Sequence, residues 1–277
     1  MQAAAKKKLR LFFIYVLCIL IAIITLFPIY WTFVVSVQSK LEIFSGPNFF
    51  PPSFHSENYT RPFFQDVYGR YLVNSLIIAT GNTLLVIVLA VMSTYAFSRF
   101  RIPGSNNIFF WTITNRMAPA AVFIVPFFLI FSRLGLRDTR IGLIILYCIF
   151  NLPFAIWLLK GMMDSIPKEL DEAAMIDGCS LWGVLVRVIL PLARPGIMVT
   201  AVLTWIFAWN EYLFASVLTN VNARTMTTGL IEFVTVIGTN WGEMAAVSMV
   251  CLIPAVIFIS IAQRHIIAGL TFGAVKD

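Results

Sequence analysis

Residues 164–196 read DSIPKELDEAAMIDGCSLWGVLVRVILPLARPG, a polar island in a chain that is otherwise mostly apolar. Five of the chain's 13 acidic residues (Asp164, Glu169, Asp171, Glu172 and Asp177) fall between positions 164 and 178. Carboxylates are costly in lipid, so this stretch belongs outside a bilayer core. It is nonetheless patterned for structure. Pro167 suits the first turn of a helix that Asp164 or Ser165 would cap, and Glu169, Asp171 and Glu172 complement the positive end of that helix. Gly178 is a natural stop. A second helical run from Leu181 to Leu190 is expected to end at Pro191. A folded helix–turn–helix between two membrane spans is a surface made to be held by another molecule.

The rest of the chain supplies the membrane. Hydrophobic residues make up 60% of the 277, charged residues 12%, and the mean hydropathy is +0.88. That composition excludes an ordinary soluble domain and leaves room for roughly six spans of about 20 residues each. The apolar runs are long and continuous, which favours helices over the alternating strands of a barrel. The expected fold class is therefore all-α, a single polytopic domain over 1–277. Its six spans are placed at about 11–35, 71–97, 108–131, 141–163, 197–219 and 243–263, with the coupling-type loop at 164–196.

Charge orients the spans. Lys6, Lys7, Lys8 and Arg10 place the N-terminus in the cytoplasm, and six spans return the C-terminus to the same side. Twelve Lys/Arg then lie on the cytoplasmic side and seven outside, with Arg116 within a span. The island falls in the cytoplasm. The net charge of +7 reflects these span ends and not a nucleic-acid surface. The N-terminal KKKLR and its apolar run resemble a secretory signal, but the run is too long and lacks a small-residue cleavage site, so it reads as a retained span. The segment 36–70, with Pro47, Pro51, Pro52, Pro62 and five phenylalanines (Phe49, Phe50, Phe54, Phe63, Phe64), reads as a compact interfacial loop packed on the bundle, with docking of a partner as the alternative. The four cysteines (Cys18, Cys148, Cys179, Cys251) have neither disulfide nor metal spacing. No phosphate-binding G-x-x-x-x-G-K-[ST] loop and no H-E-x-x-H occur, which removes an ATPase and a zinc protease from the reading.

Within the island, Glu172-Ala173-Ala174 is followed by three residues, Gly178, nine residues, then Val188-Ile189-Leu190-Pro191. This resembles the EAA loop of ABC importer permeases, with Val188 where Ile is usual. Tyr95-Ala96-Phe97-Ser98-Arg99-Phe100 with Pro103-Gly104, then Pro126, Leu134 to Thr139, Trp209-Asn210-Glu211 and Gly269 to Lys276 extend the likeness. They resemble the carbohydrate-uptake group, in particular the smaller maltose-type permease subunit. The resemblance implies a permease for sugars or related polyols in a bacterial inner membrane, not an enzyme in itself. It implies a second permease, two copies of an ATPase subunit that bind ATP and Mg, and an extracytoplasmic solute-binding protein. Glu172, Ala173, Ala174, Asp177, Gly178, Leu190 and Pro191 would couple to the ATPase, the two alanines permitting close helix approach.

Polar residues within spans are the solute-path candidates: Asn115, Arg116, Asn151, Trp205, Trp209, Asn210 and Glu211, with Asn74 and Asn82 also intramembrane. Buried charge faces a bundle interior or water, and sugars are held by hydrogen-bonding groups beside aromatic faces. The plainer reading is that the Asn and Glu side chains tie helices together or cap broken ones. Two other classes remain: a secondary carrier using Glu211 or Arg116 as a charge relay, and a membrane-embedded enzyme, for which no catalytic constellation appears.

Overall fold

The computed structural model describes residues 2–236 and 238–271, with side chains from 8 to 263 except those of 106, 115–117, 237 and 262. Five helices are long and apolar enough to cross a membrane, at Lys8–Ser36, Tyr68–Arg99, Arg140–Asp164, Leu181–Trp209 and Trp241–Ile261. Four of them coincide with expected spans. In chain order the helices are α1 (Gln2–Ser36), α2 (Lys40–Phe44), α3 (Glu57–Thr60), α4 (Tyr68–Arg99), α5 (Ser105–Met117), α6 (Ile124–Arg133) and α7 (Arg140–Asp164). There follow α8 (Glu169–Ile176), α9 (Leu181–Val184), α10 (Leu190–Trp209), α11 (Leu213–Leu218), α12 (Met226–Gly229) and α13 (Trp241–Thr271). A two-stranded antiparallel hairpin, β1 (Val234–Thr235) and β2 (Gly238–Thr239), is the only sheet among the described residues.

Two expected spans differ. The segment expected as one helix over 108–131 is broken into α5, a 3-10 turn at Ala120–Phe123, and α6. The cause is Pro119, which lacks an N–H and holds Ala118 extended at φ −69, ψ 135. The fifth span enters earlier than expected and ends earlier. Pro191 does not end the helix begun at Leu181, because a π turn over Leu185–Ile189 precedes it, with Leu190 N–H donating to Leu185 O. The wider turn accommodates the missing proline donor, and the helix runs on to Trp209 instead of 219. It stops at Asn210 (φ −89, ψ 0) and resumes as α11.

The chain divides into two compact units. The first holds residues 1–69 and 230–253. Here the most apolar window of α1 is entirely uncovered, as a lipid-facing or partner-facing helix would be. The segment after it is ordered by a capping box: Ser39 Oγ accepts from Glu42 N–H, and Ser39 N–H donates to Glu42 Oε2 at 2.8 Å. Asn58 Nδ2 donates to Ser36 O and Gln38 O at 3.0 and 2.9 Å. Tyr68 stacks on Phe233 at 4.7 Å.

The second unit holds 70–229 and the chain from Pro254. Two apolar clusters form its core. One gathers Val86, Tyr95, Leu159, Met163, Ile166, Val184 and Ile189; the other gathers Ile78, Leu143, Tyr147, Trp205, Trp209 and Phe214. Between them Asn151 Nδ2 donates to Asn82 Oδ1 at 2.9 Å, and Asn82 Nδ2 to Ile144 O at 3.0 Å, locking α4 to α7.

Candidate functional site

The island folds as α8, a tight turn and the head of the long α9–α10 helix. Gly178 takes φ +86. Its N–H donates to Met175 O at 3.0 Å, and Cys179 N–H donates to Ala174 O at 3.0 Å, the paired bonds of a Schellman stop. Ser180 caps the next helix by accepting from Gly183 N–H at 3.2 Å. The expected cap of α8 is corrected. Asp164 and Ser165 finish α7 instead: Asp164 accepts from Ser98 Oγ and Lys160 Nζ, each at 2.6 Å, and Ser165 Oγ donates to Met162 O. Lys168 stands at the α8 N-cap and makes no side-chain cap.

Helix phase divides the residues that the sequence grouped together. Asp171 and Ala174, three apart, form the buried face of α8. Glu172, Ala173, Asp177 and Gly178 are exposed. Ala174 thus packs into the chain's own core, and of the two alanines only Ala173 is presented outward. Apolar side chains in and just after α8 are exposed as well: Leu170, Met175, Leu181 and Trp182, with Ile176 retaining 87% of its surface. Leu190 is half-buried and Pro191 exposed at the head of α10.

Asp171 does not only complement a helix end. Arg99, the last residue of α4, donates from Nε to Asp171 Oδ2 at 2.6 Å, with both side chains buried. Its terminal nitrogens also reach Asp171 Oδ1 (3.4 Å), Ile166 O (3.1 Å) and Met163 O (3.4 Å). The planar guanidinium therefore joins α4, the end of α7 and α8 through one fork. Gly196 lets α10 close on α7; a Cβ there would stand 2.7 Å from Met162 Cγ.

The solute-path candidates separate. Asn151 and Glu211 line a cleft of about 260 Å³ with Ala118, Tyr147, Phe150, Phe207 and Phe214. Phe150 and Phe214 stack at 4.8 Å within it. Glu211 also has a structural task, because its two carboxylate oxygens accept from Phe214 N–H (2.8 Å) and Ala215 N–H (3.1 Å) and so start α11. Trp205 and Trp209 lie outside this cleft, buried and stacked on each other at 4.8 Å, with Trp205 also on Phe258 at 4.5 Å. Asn210 turns back to donate to Ile206 O. Asn74 ties Arg140, Asn222 and Arg224 together. The side chains of Asn115 and Arg116 lie outside the described residues, as does the end of the Gly269 to Lys276 motif.

One ordered site had no sequence signal beyond a Gly-Leu-Arg-Asp turn. Asp138, at φ +53, accepts the backbone N–H groups of Asn220, Val221, Asn222 and Ala223 at 2.9–3.2 Å, together with Asn222 Nδ2. Burial alone would raise its carboxyl, but the four backbone donors outweigh that and carry it down to about 2. Arg70 holds the same loop through Asn222 Oδ1 at 2.8 Å.

This architecture has known counterparts. Residues 87–271 match the family described as "Binding-protein-dependent transport system inner membrane component". The chain is 34% identical to the diacetylchitobiose uptake system permease protein DasC of Streptomyces coelicolor, covering 90% of this chain and 91% of that one. It is 37% identical to the trehalose/maltose transport system permease protein MalG of Thermococcus litoralis, covering 93% and 94%. A crystal structure of a bacterial ABC transporter involved in the import of the acidic polysaccharide alginate superposes with a TM-score of 0.78 at 25% identity, over 93% of this chain and 97% of that one. A multi-pass helical chain with this end-to-end likeness belongs to the family of binding-protein-dependent transport system inner membrane components, as a permease and not an enzyme.

Proposed function

We propose that the chain is one of two permease subunits of an ATP-driven importer for sugars or related polyols in a bacterial cytoplasmic membrane. Both termini and the turn between α7 and α10 face the cytoplasm, a placement the excess of Lys/Arg on that side supports. Two ATPase subunits bind ATP and Mg and dock on α8 and α9. A solute-binding protein delivers the solute from outside. The observation that carries this reading is the exposure of Leu170, Met175 and Ile176 on a helix too acidic to enter lipid, with Leu181 and Trp182 exposed just beyond its turn. Sugar uptake by DasC and MalG, as their names state, favours a carbohydrate solute. So does the pairing of Asn151 and Glu211 with the aromatic faces of Phe150, Phe207 and Phe214. A secondary carrier relaying protons through Glu211 loses ground, since that carboxylate is occupied as a helix cap.

The test is co-purification of an ATPase subunit with the tagged chain from its own host. Ile176→Asp, Trp182→Asp and Ala173→Arg should reduce the captured ATPase and the uptake at unchanged permease levels in the membrane. Ala174→Arg should instead lower the permease level itself, because that side chain is buried in the chain's own core. Undiminished capture with all three exposed-face variants contradicts the proposal.

A further inference from the structure

We propose that Arg99 is a positioning residue for transport, the link through which displacement of α8 is delivered to α4 as well as to α7. The inference rests on α8 being the ATPase-facing element. The buried face of α8 offers the membrane helices two contacts, Ala174 and Asp171. The alanine belongs to the apolar cluster that also holds Val184, Ile166 and Met163, and apolar packing is non-directional. The Asp171–Arg99 pair does not slide. Nε and a terminal nitrogen of one planar group meet the two oxygens of one carboxylate, with only 6% and 7% of the side chains exposed. Separating them would leave two charges bare in a water-poor setting.

Nη2, which meets Asp171 Oδ1, also donates to Ile166 O, and Nη1 donates to Met163 O, so the guanidinium cannot follow α8 without carrying the end of α7. Beside it Ser98 Oγ donates to Asp164, which fastens α4 to α7 a second time. A push on α8 therefore reaches two long helices together, and Asn82–Asn151 binds the same two helices farther along. Together with the Ser98–Asp164 bond, this fork is the polar route by which a displacement of α8 enters α4.

A buried ion pair can be replaced by packed apolar residues without loss of stability, and that separates a link from a mere fastener. The Arg99→Met, Asp171→Leu double variant is assayed in the whole complex, reconstituted in proteoliposomes, for ATPase capture, ATP hydrolysis and solute moved per ATP. Capture and hydrolysis should persist while solute per ATP falls about tenfold, within the range that residues of a coupling network carry. A wild-type ratio overturns the proposal. If the double variant does not assemble, Arg99→Lys decides: it keeps the charge but not the fork, and should assemble with a lowered ratio. A wild-type ratio for Arg99→Lys also overturns the proposal. A wild-type complex that captures no ATPase counts against the importer reading itself, not against the link.

Discussion

Asp138→Asn should unfasten the 219–224 loop. Asparagine keeps the tolerance for φ +53 that the turn needs, so the variant removes the charge and one acceptor without disturbing the backbone. The carboxyl falls from its ordinary 3.8 to about 2 in the folded chain, equivalent to about 2.4 kcal/mol at 1.36 kcal/mol per pH unit. Asp138 is partly exposed, and solvent screening brings this to roughly 1–2 kcal/mol. The assay is amide hydrogen exchange of the chain in nanodiscs, followed at Asn220 to Ala223. Protection there should drop about 5- to 30-fold, with the amides of α7 and α10 unchanged. The pH dependence has a definite sign. A depressed carboxyl stabilises fully above pH 3.8, and its contribution is lost as the pH falls through about 2. The wild-type loop should loosen across that window and the variant should not. Unchanged protection in Asp138→Asn at neutral pH, or a variant with the same acid response as wild type, would refute the reasoning.

Gly142→Ala should cost about 1–3 kcal/mol and lower the thermal midpoint in detergent. The new Cβ would stand 2.3 Å from Leu136 O, a backbone atom that cannot swing aside. Gly161→Ala is the control: it meets nothing within 4 Å and should be neutral or stabilising. Glu211→Gln should weaken the start of α11 by about 0.5–2 kcal/mol, seen as faster exchange at Phe214 and Ala215, since one amide oxygen replaces two carboxylate oxygens. Abolished uptake with unchanged exchange would mean that the carboxylate serves the solute and not the cap.

Hydropathy located the long helices because lipid imposes a length and a composition that a sequence cannot hide. The two misplaced spans turn on prolines whose effect depends on neighbours. Pro119 breaks its helix, whereas Pro191 is carried by a π turn that nothing in the residues 185–189 announces. The island was legible as a folded unit, although its second half is the head of the long helix Leu181–Trp209 and not a separate one; helix phase could have separated Asp171 and Ala174 from Ala173. Arg99 and Asp171 were each visible, but they lie 72 residues apart, and only the fold pairs them. Asp138 was least legible, because its partners are backbone N–H groups more than 80 residues away, and a backbone donor has no signature in sequence. Trp205, Trp209 and Asn210 were grouped with Glu211 by adjacency; the two tryptophans lie in the core, Asn210 caps its own helix end, and only Glu211 lines the cleft.

Cross-linking from Ile176 asks whether α8 meets the ATPase subunit. Ile176→Cys is made in a Cys179→Ser background, and the complex is treated with a thiol-directed cross-linker with and without ATP. Val221→Cys, which is 58% exposed on the Asp138-held loop, serves as the control. The account predicts that Ile176→Cys joins the ATPase subunit with a yield that changes when ATP binds, and that Val221→Cys never does. A cross-link to the ATPase from position 221, or none from position 176 in either nucleotide state, would contradict it.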